Sequence, residues 1–302
     1  MDRVLDSTPV AADADGSASP STFSRPDVSS HREFELKDTD FRRITRLIYA
    51  KAGIVLSEQK RDMVVRRLSK RIRHLNLRGF REYMDEVEKA ESREIVEFCN
   101  ALTTNLTAFF REPHHFDKLR SYFEEHGQGR TYRIWSAACS TGEEPYSIAM
   151  TAVEHFGQAS PPLRLLCTDI DTDVVAKAAS GVYDVERLAS MTNERKTRFF
   201  QRGSGEYSGL VRVDPLLRSF MKFQRKNLLD QTYDITSGVD VVFLRNVMIY
   251  FDRATQRHVL ERMHRVLAPD GLLIVGHSEN LFHASDLFKS SGQTVYSPVA
   301  KE

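Results

Sequence analysis

The stretch RIWSAACSTGEEPYSIAM, residues 133–150, decides how this chain is read. Its segment Ile134-Trp135-Ser136-Ala137-Ala138 reads as a short buried strand, Thr141-Gly142 as a tight turn, and Glu143-Glu144-Pro145 as the opening of a helix. Strand, turn and helix in that order form the unit with which α/β proteins cradle nucleotides. This turn holds one glycine, and neither G-x-G-x-x-G nor G-x-x-x-x-G-K-[ST] is present. Two carboxylates stand where a pyrophosphate would need donors: either they are first-turn acids favoured by the helix dipole, or the turn repels phosphate and suits a cationic group.

Outward from that unit the strand and helix patterns alternate. LRLLCTDID reads as a strand ending in acids, and TDVVAKAASG as a helix closed by glycine. VDVVFLRNVMIYF reads as a third buried strand, ATQRHVLERMHRVL as an amphipathic helix, PDGLLIVGHS as a turn and fourth strand, and QTVYSPV as a last edge strand. Strands separated by crossover helices predict a mostly parallel sheet covered on both faces. The rhythm breaks between Asp184 and Asn227, where 210–213 and 220–223 read as strands of a small inserted β-subdomain at about 185–226.

Towards the N-terminus the signal is helical. Phe41, Ile44, Leu47 and Ile48 recur at helix spacing, as do Val64, Leu68, Ile72 and Leu75. Phe80, Tyr83, Met84 and Val87 predict a third helix, and Ile95, Phe98 and Cys99 a fourth with Ser92 as its N-cap. An all-α domain is therefore expected at 34–104, a linker at 105–120, and the α/β domain at 121–302. Residues 1–33, rich in Ser, Ala, Asp and Pro, read as a disordered tail. The second helix carries Arg66, Arg67, Lys70, Arg71 and Arg73 with almost no interspersed acid, which reads either as a solvated face or as a docking surface for an acidic partner, nucleic acid or an acidic protein helix.

Composition narrows the class. A net charge of +1 points to no partner by itself, so any electrostatic recognition must come from such local patches. Three scattered cysteines without a CxxC pair predict reduced thiols in a cytoplasmic protein. No apolar run approaches the ~18 residues of a membrane span, and the polar start resembles no signal peptide, so no membrane insertion is expected.

Ligands of open parallel sheets sit beyond the carboxyl ends of the strands. That rule gathers the 136–144 turn, Asp169 and Asp171, Asn227, and Arg245-Asn246. An acid ending the second strand suits two ribose hydroxyls. A nucleoside bearing positive charge and no phosphate, S-adenosylmethionine, satisfies all of these constraints. His114-His115 and His277 lack a third ligand at suitable spacing, so no metal is expected; His277 is expected to end a strand and pack near the site.

The motifs NALTTNLTAFFREPHHF, WSAACSTGEEPYSIAM, TDIDTDVV, VFLRNVMIYFD and GLLIVGHSEN, in this order, resemble the chemotaxis-receptor glutamate methyltransferases of the CheR type over roughly residues 38–300. The resemblance implies a helical domain, a Rossmann-like methyltransferase domain with a small β-subdomain, and methylation of receptor glutamates. It further implies that Asn105, Thr107 and Arg111 reach over the cofactor, that Glu144 and Asp169 contact it, and that Asn227 and Leu228 lie beside the adenine. Arg245 and Asn246 would close the pocket, with Arg111 and Tyr250 nearest the transferred methyl. On the same resemblance the basic helix docks acidic receptor helices, and the loop from Gly203 to Gly209 tethers a receptor C-terminal peptide by β-augmentation. Nothing in the sequence requires more than a monomer. A nucleic-acid methyltransferase is the first rival, but RNVMIYF stands where such enzymes carry D/N-P-P-Y/F. A non-catalytic cofactor-binding scaffold is the second.

Overall fold

The computed structural model describes residues 34–300, and the tail expected at 1–33 lies outside them. Four helices come first: α1 (Asp38–Ala52), α2 (Arg61–His74), α3 (Phe80–Val87) and α4 (Glu94–Leu102). They bury one shared core that includes Ile44, Ile48, Val64, Leu68, Tyr83 and Phe98. The apolar spacing read from the sequence is the face each helix turns inward. The N-cap of α4 is Arg93 and not the expected Ser92, although Ser92 Oγ accepts from the Glu94 N–H at 3.2 Å one residue before it.

A fifth helix, α5 (His114–His126), runs across the boundary expected at residue 120. Phe116, Leu119 and Phe123 form its buried stripe at helical spacing. The α/β order then proceeds through β1 (Tyr132–Ser136), α6 (Glu143–Phe156), β2 (Leu163–Asp169) and α7 (Thr172–Ser180). Next come β3 (Val182–Asp184), α8 (Asn193–Phe199), β4 (Phe200–Arg202), β5 (Leu210–Val213), α9 (Pro215–Arg218) and β6 (Met221–Arg225). The chain ends with β7 (Val239–Leu244), α10 (Arg253–Val266), β8 (Leu267–Val275), β9 (Phe288–Ser290) and β10 (Val295–Pro298).

Seven strands form the main sheet in the order β6-β2-β1-β7-β8-β10-β9. The first five run parallel, and β10 and β9 close one side antiparallel. Ile134, Val241 and Phe243 enter the core on one face of the sheet; Trp135, Val242 and Leu244 enter the core on the other. Side chains alternate along a strand, so a strand buried on both faces is largely apolar; β7 is buried at all six positions, and its one polar residue, Asp240, is paired with Arg130 and accepts the Arg133 backbone N–H. Each such aliphatic side chain contributes about 1.5–3 kcal/mol relative to exposure.

Two expectations are corrected here. Residues 220–223 do not belong to the inserted β-subdomain: β6 pairs in parallel with β2, Leu165 opposite Met221 and Asp169 opposite Arg225. The subdomain sheet is β3-β5-β4 alone. Likewise β10 is not an edge strand, because β9 pairs outside it. Both errors have one cause: a local pattern shows that a segment is extended but not which strand it lies against. Among the described residues, no helix is long and apolar enough to cross a membrane.

Candidate active site

The strand order reverses at β1, which pairs with β2 on one side and β7 on the other. Beyond the carboxyl ends of these strands opens a cleft of about 1140 Å³, part of it open solvent. Its floor is the turn after β1, where Ala137, Ala138 and Ser140 face the space. Gly142, at the N-cap of α6, has φ 101°, and a Cβ there would stand 2.6 Å from the Tyr183 hydroxyl. Only glycine lets the turn close so tightly against α7 and β3.

Glu144 and Glu143 part company at the start of α6. Glu144 lines the cleft, accepts from Ser136 Oγ at 2.8 Å and pairs with Arg245 Nη1 at 3.0 Å. Burial pushes its carboxyl above the usual carboxylate range, and Arg245 pulls against that shift. Glu143 turns away from the cleft, where it accepts from Thr141 Oγ1 at 2.6 Å and from Arg187 Nε at 3.1 Å. Of the two acids expected to face a cationic ligand, only Glu144 lines the cleft. Glu143 ties the β-subdomain side of the molecule to α6.

Asp169, the last residue of β2, also lines the cleft. It accepts from the backbone N–H of Ser140 at 2.9 Å and of Asp171 at 3.1 Å. Burial pushes its carboxyl up to about 6, against those donors. Asp171 serves structure: it caps α7 through the N–H groups of Asp173 and Val174, and accepts from Thr103 Oγ1 at 2.6 Å and Asn105 Nδ2 at 2.7 Å. Asn227 and Leu228 follow β6 into the cleft wall, Asn227 donating to the Lys51 carbonyl at 2.7 Å.

A strap at 103–112 crosses the opening and brings Asn105, Thr107 and Arg111 to the lining. Ser140 Oγ donates to the Asn105 carbonyl at 2.9 Å, Arg187 to the Thr107 carbonyl at 3.2 Å, and the Phe110 N–H to Ser147 Oγ at 2.9 Å. Arg245 donates to the Arg111 carbonyl. Phe110 and Glu112 adopt φ of 52° and 56°, a left-handed backbone that bulky residues avoid unless their surroundings impose it. The Arg111 side chain remains 35% exposed, its Nη1 on the Leu106 carbonyl at 3.0 Å.

Across from the strap, Asn246 and Tyr250 complete the lining. Glu279 holds this loop: it accepts from the backbone N–H of Asn246 and Met248, each at 2.8 Å, and of Gly276 at 2.6 Å. A Cβ at Gly276 would meet Asn246 Nδ2 at 2.3 Å. His277 does not pack into the cleft; its side chain is exposed, two residues past the end of β8. His114 and His115 do have a third neighbour, Glu112, with ligand atoms within 4.8 Å of one another. Arg245 lies 3.3 Å from that same carboxylate, and His115 Nε2 lies 2.9 Å from Thr294 Oγ1, so an arginine already meets the charge a metal would balance.

The helical cluster supplies a wall that the sequence did not disclose. Ile54, Val55, Leu56, Lys60 and Met63 line the cleft, and the Val55 N–H donates to the Tyr250 carbonyl at 2.9 Å. On α2, Arg66, Lys70 and Arg73 are exposed. Arg67 and Arg71 are turned inward instead. Arg67 donates to the carbonyls of Ala101 and Thr103, and Arg71 holds Glu94 in a two-pronged pair at 2.8 and 2.7 Å.

The all-α domain of the CheR methyltransferase family matches residues 39–103, and the SAM binding domain of the same family matches residues 105–297. The chain belongs to the CheR methyltransferase family. It is 49% identical to chemotaxis protein methyltransferase 2 of Pseudomonas aeruginosa, over 90% of this chain and 97% of that one. It is also 49% identical to the chemotaxis protein methyltransferase of Escherichia coli, over 86% of this chain and 91% of that one. This CheR chain is an S-adenosylmethionine-dependent methyltransferase, and its lining fits that cofactor. Small residues, a buried acid at the end of β2 and a second carboxylate at Glu144 face the cleft, and no glycine-rich phosphate cradle does.

Proposed function

We propose that this CheR protein transfers a methyl group from S-adenosylmethionine to the side-chain carboxylate of glutamates on chemoreceptors, forming methyl esters. Asp169 accepts the ribose hydroxyls, Glu144 with Arg245 receives the amino-acid end, and Asn227, Leu228 and Asn246 flank the base. Asn105 and Thr107 hold the cofactor from the strap. The bound cofactor supplies an electrophilic methyl on sulfur. A glutamate side chain has a pKa of ~4.3, so near neutral pH the acceptor is already an anion and no general base is required. One carboxylate oxygen forms the O–CH3 bond as the S–CH3 bond breaks, its electron pair staying on sulfur, and no proton moves. Arg111 orients and steadies the acceptor charge, and the Tyr250 hydroxyl aligns it with the S–C axis.

The observation that carries this reading is a nucleoside cleft without a phosphate cradle, bordered by Arg111 and Tyr250. Acidic helices in the cytoplasmic part of a receptor dock on Arg66, Lys70 and Arg73, three exposed cations along one helix. The turn from Gly203 to Gly209 joins β4 to β5 and leaves β4, an edge strand, free to pair with a receptor C-terminal peptide. The protein acts in the cytoplasm as a monomer. Incubation with labelled methyl donor and a receptor cytoplasmic fragment yields base-labile label on glutamate. Arg111→Ala and Tyr250→Phe each lower kcat at least about tenfold while donor affinity stays within about threefold. Normal turnover in both variants discards the two assignments.

A further inference from the structure

We propose that Glu112 is a positioning residue for methyl transfer: it fixes the Arg245 guanidinium and, through it, the backbone that aims Arg111 at the acceptor. Glu112 precedes α5 and belongs to none of the contacts assigned to the cofactor. Its carboxylate lies 3.3 Å from Arg245 Nη2, 3.5 Å from His115 Nδ1 and, at longer range, 3.9 Å from Arg111 Nε, and it accepts the His277 backbone N–H at 3.1 Å. The same Arg245 nitrogen donates to the Arg111 carbonyl, while Nη1 holds Glu144 at 3.0 Å. A chain of polar contacts therefore runs from the Ser136 hydroxyl through Glu144 and Arg245 to Glu112, and the strap is fastened along it.

Two features show that Arg245 is held and not merely accommodated. Its side chain is 2% exposed, so the cation depends on Glu112 and Glu144 in place of water. The Glu112 backbone has φ 56°, a conformation that costs free energy and persists where side-chain partners over-determine it. With Glu112 neutralised, Arg245 keeps Glu144 through Nη1, but Nη2 loses the acid that holds it in place and its grip on the Arg111 carbonyl loosens. The Arg111 side chain then samples orientations away from the acceptor.

The inference rests on the role given to Arg111 above, and a double-mutant cycle separates the two. Glu112→Gln is nearly isosteric and keeps an acceptor for the His277 N–H. Alone it lowers kcat on a receptor fragment about tenfold and leaves the donor Kd, read by calorimetry, within about threefold. In an Arg111→Ala background the same substitution changes kcat by less than about twofold, because nothing remains to be aimed. A full further loss in that background overturns the positioning role of Glu112 while leaving Arg111 standing, and so does unchanged turnover in Glu112→Gln alone. Normal turnover in Arg111→Ala overturns the role of Arg111 itself, and this proposal with it. Should Glu112→Gln fail to fold, Glu112→Asp keeps the charge one methylene short and enters the same cycle, with a smaller loss that again vanishes beside Arg111→Ala.

Discussion

Asp169 shows what burial does to a single carboxylate. Folding lifts its pKa from an ordinary 3.8 to about 6. An acid raised in this way holds its proton better folded than unfolded, so the ligand-free protein loses stability as pH rises from about 4 to 6. The anion that accepts ribose hydroxyls is in turn lost as pH falls through about 6. Donor Kd by calorimetry is expected to weaken up to about tenfold per pH unit below about pH 6, and Asp169→Asn to bind poorly without that dependence. An equal Kd at about pH 5 and pH 7.5 would remove Asp169 from the cofactor's contacts. The places of Asp169 and Arg245 in the cleft lining were legible because each stands at a strand end, and that of Glu144 because it opens the helix after the first strand's turn; sequence patterns mark both positions. Glu112 and Glu279 were not. Glu112 works on a backbone N–H at a sequence separation of 165, and Glu279 on a loop 31 to 33 residues away; no local period encodes such pairings.

At the scale of elements, α2 separates two kinds of basic residue that look alike in the sequence. Arg66, Lys70 and Arg73 are exposed, Arg73 with its guanidinium over the Phe34 ring, whereas Arg67 and Arg71 are spent on internal acceptors. Reversing Arg66 and Lys70 to Glu is expected to raise the acceptor KM about tenfold or more with donor Kd unchanged, and an unmoved KM would set this docking face aside. Arg71→Ala acts differently, since it strands Glu94, whose side chain is only 9% exposed and which also accepts from the Tyr83 hydroxyl at 3.0 Å. Urea denaturation should show a loss of about 3 kcal/mol with little direct effect on docking. The loop after β7 offers a second case. Gly276→Ala drives a methyl into the Asn246 amide, so it should impair donor binding without unfolding the sheet; full binding by that variant would free Asn246 from its role. Helix stripes such as Val64, Leu68 and Ile72 could be read directly, because one face repeats every 3.6 residues. The β6 segment could not, because an edge strand with mixed exposure carries no mark of its neighbour.

At the scale of the whole molecule, the cleft is made jointly. Ile54, Leu56 and Met63 from the helical cluster face Asp169 and Arg245 from the sheet across one space, and the strap runs between them. Asn100 Nδ2 donates to Thr172 Oγ1 at 2.8 Å, Asn227 Nδ2 to the Lys51 carbonyl at 2.7 Å, and the Tyr49 hydroxyl to Asp252 at 2.8 Å, so three separate bonds cross from α1 and α4 to the α/β part. A core truncation such as Leu68→Ala, expected to cost about 2–5 kcal/mol, should therefore weaken donor binding as well as folding. A molecule stitched along its seam in this way melts as one body. A calorimetric scan should give a single endotherm, and saturating methyl donor, touching both halves at once, should carry that endotherm upward intact instead of splitting it into two.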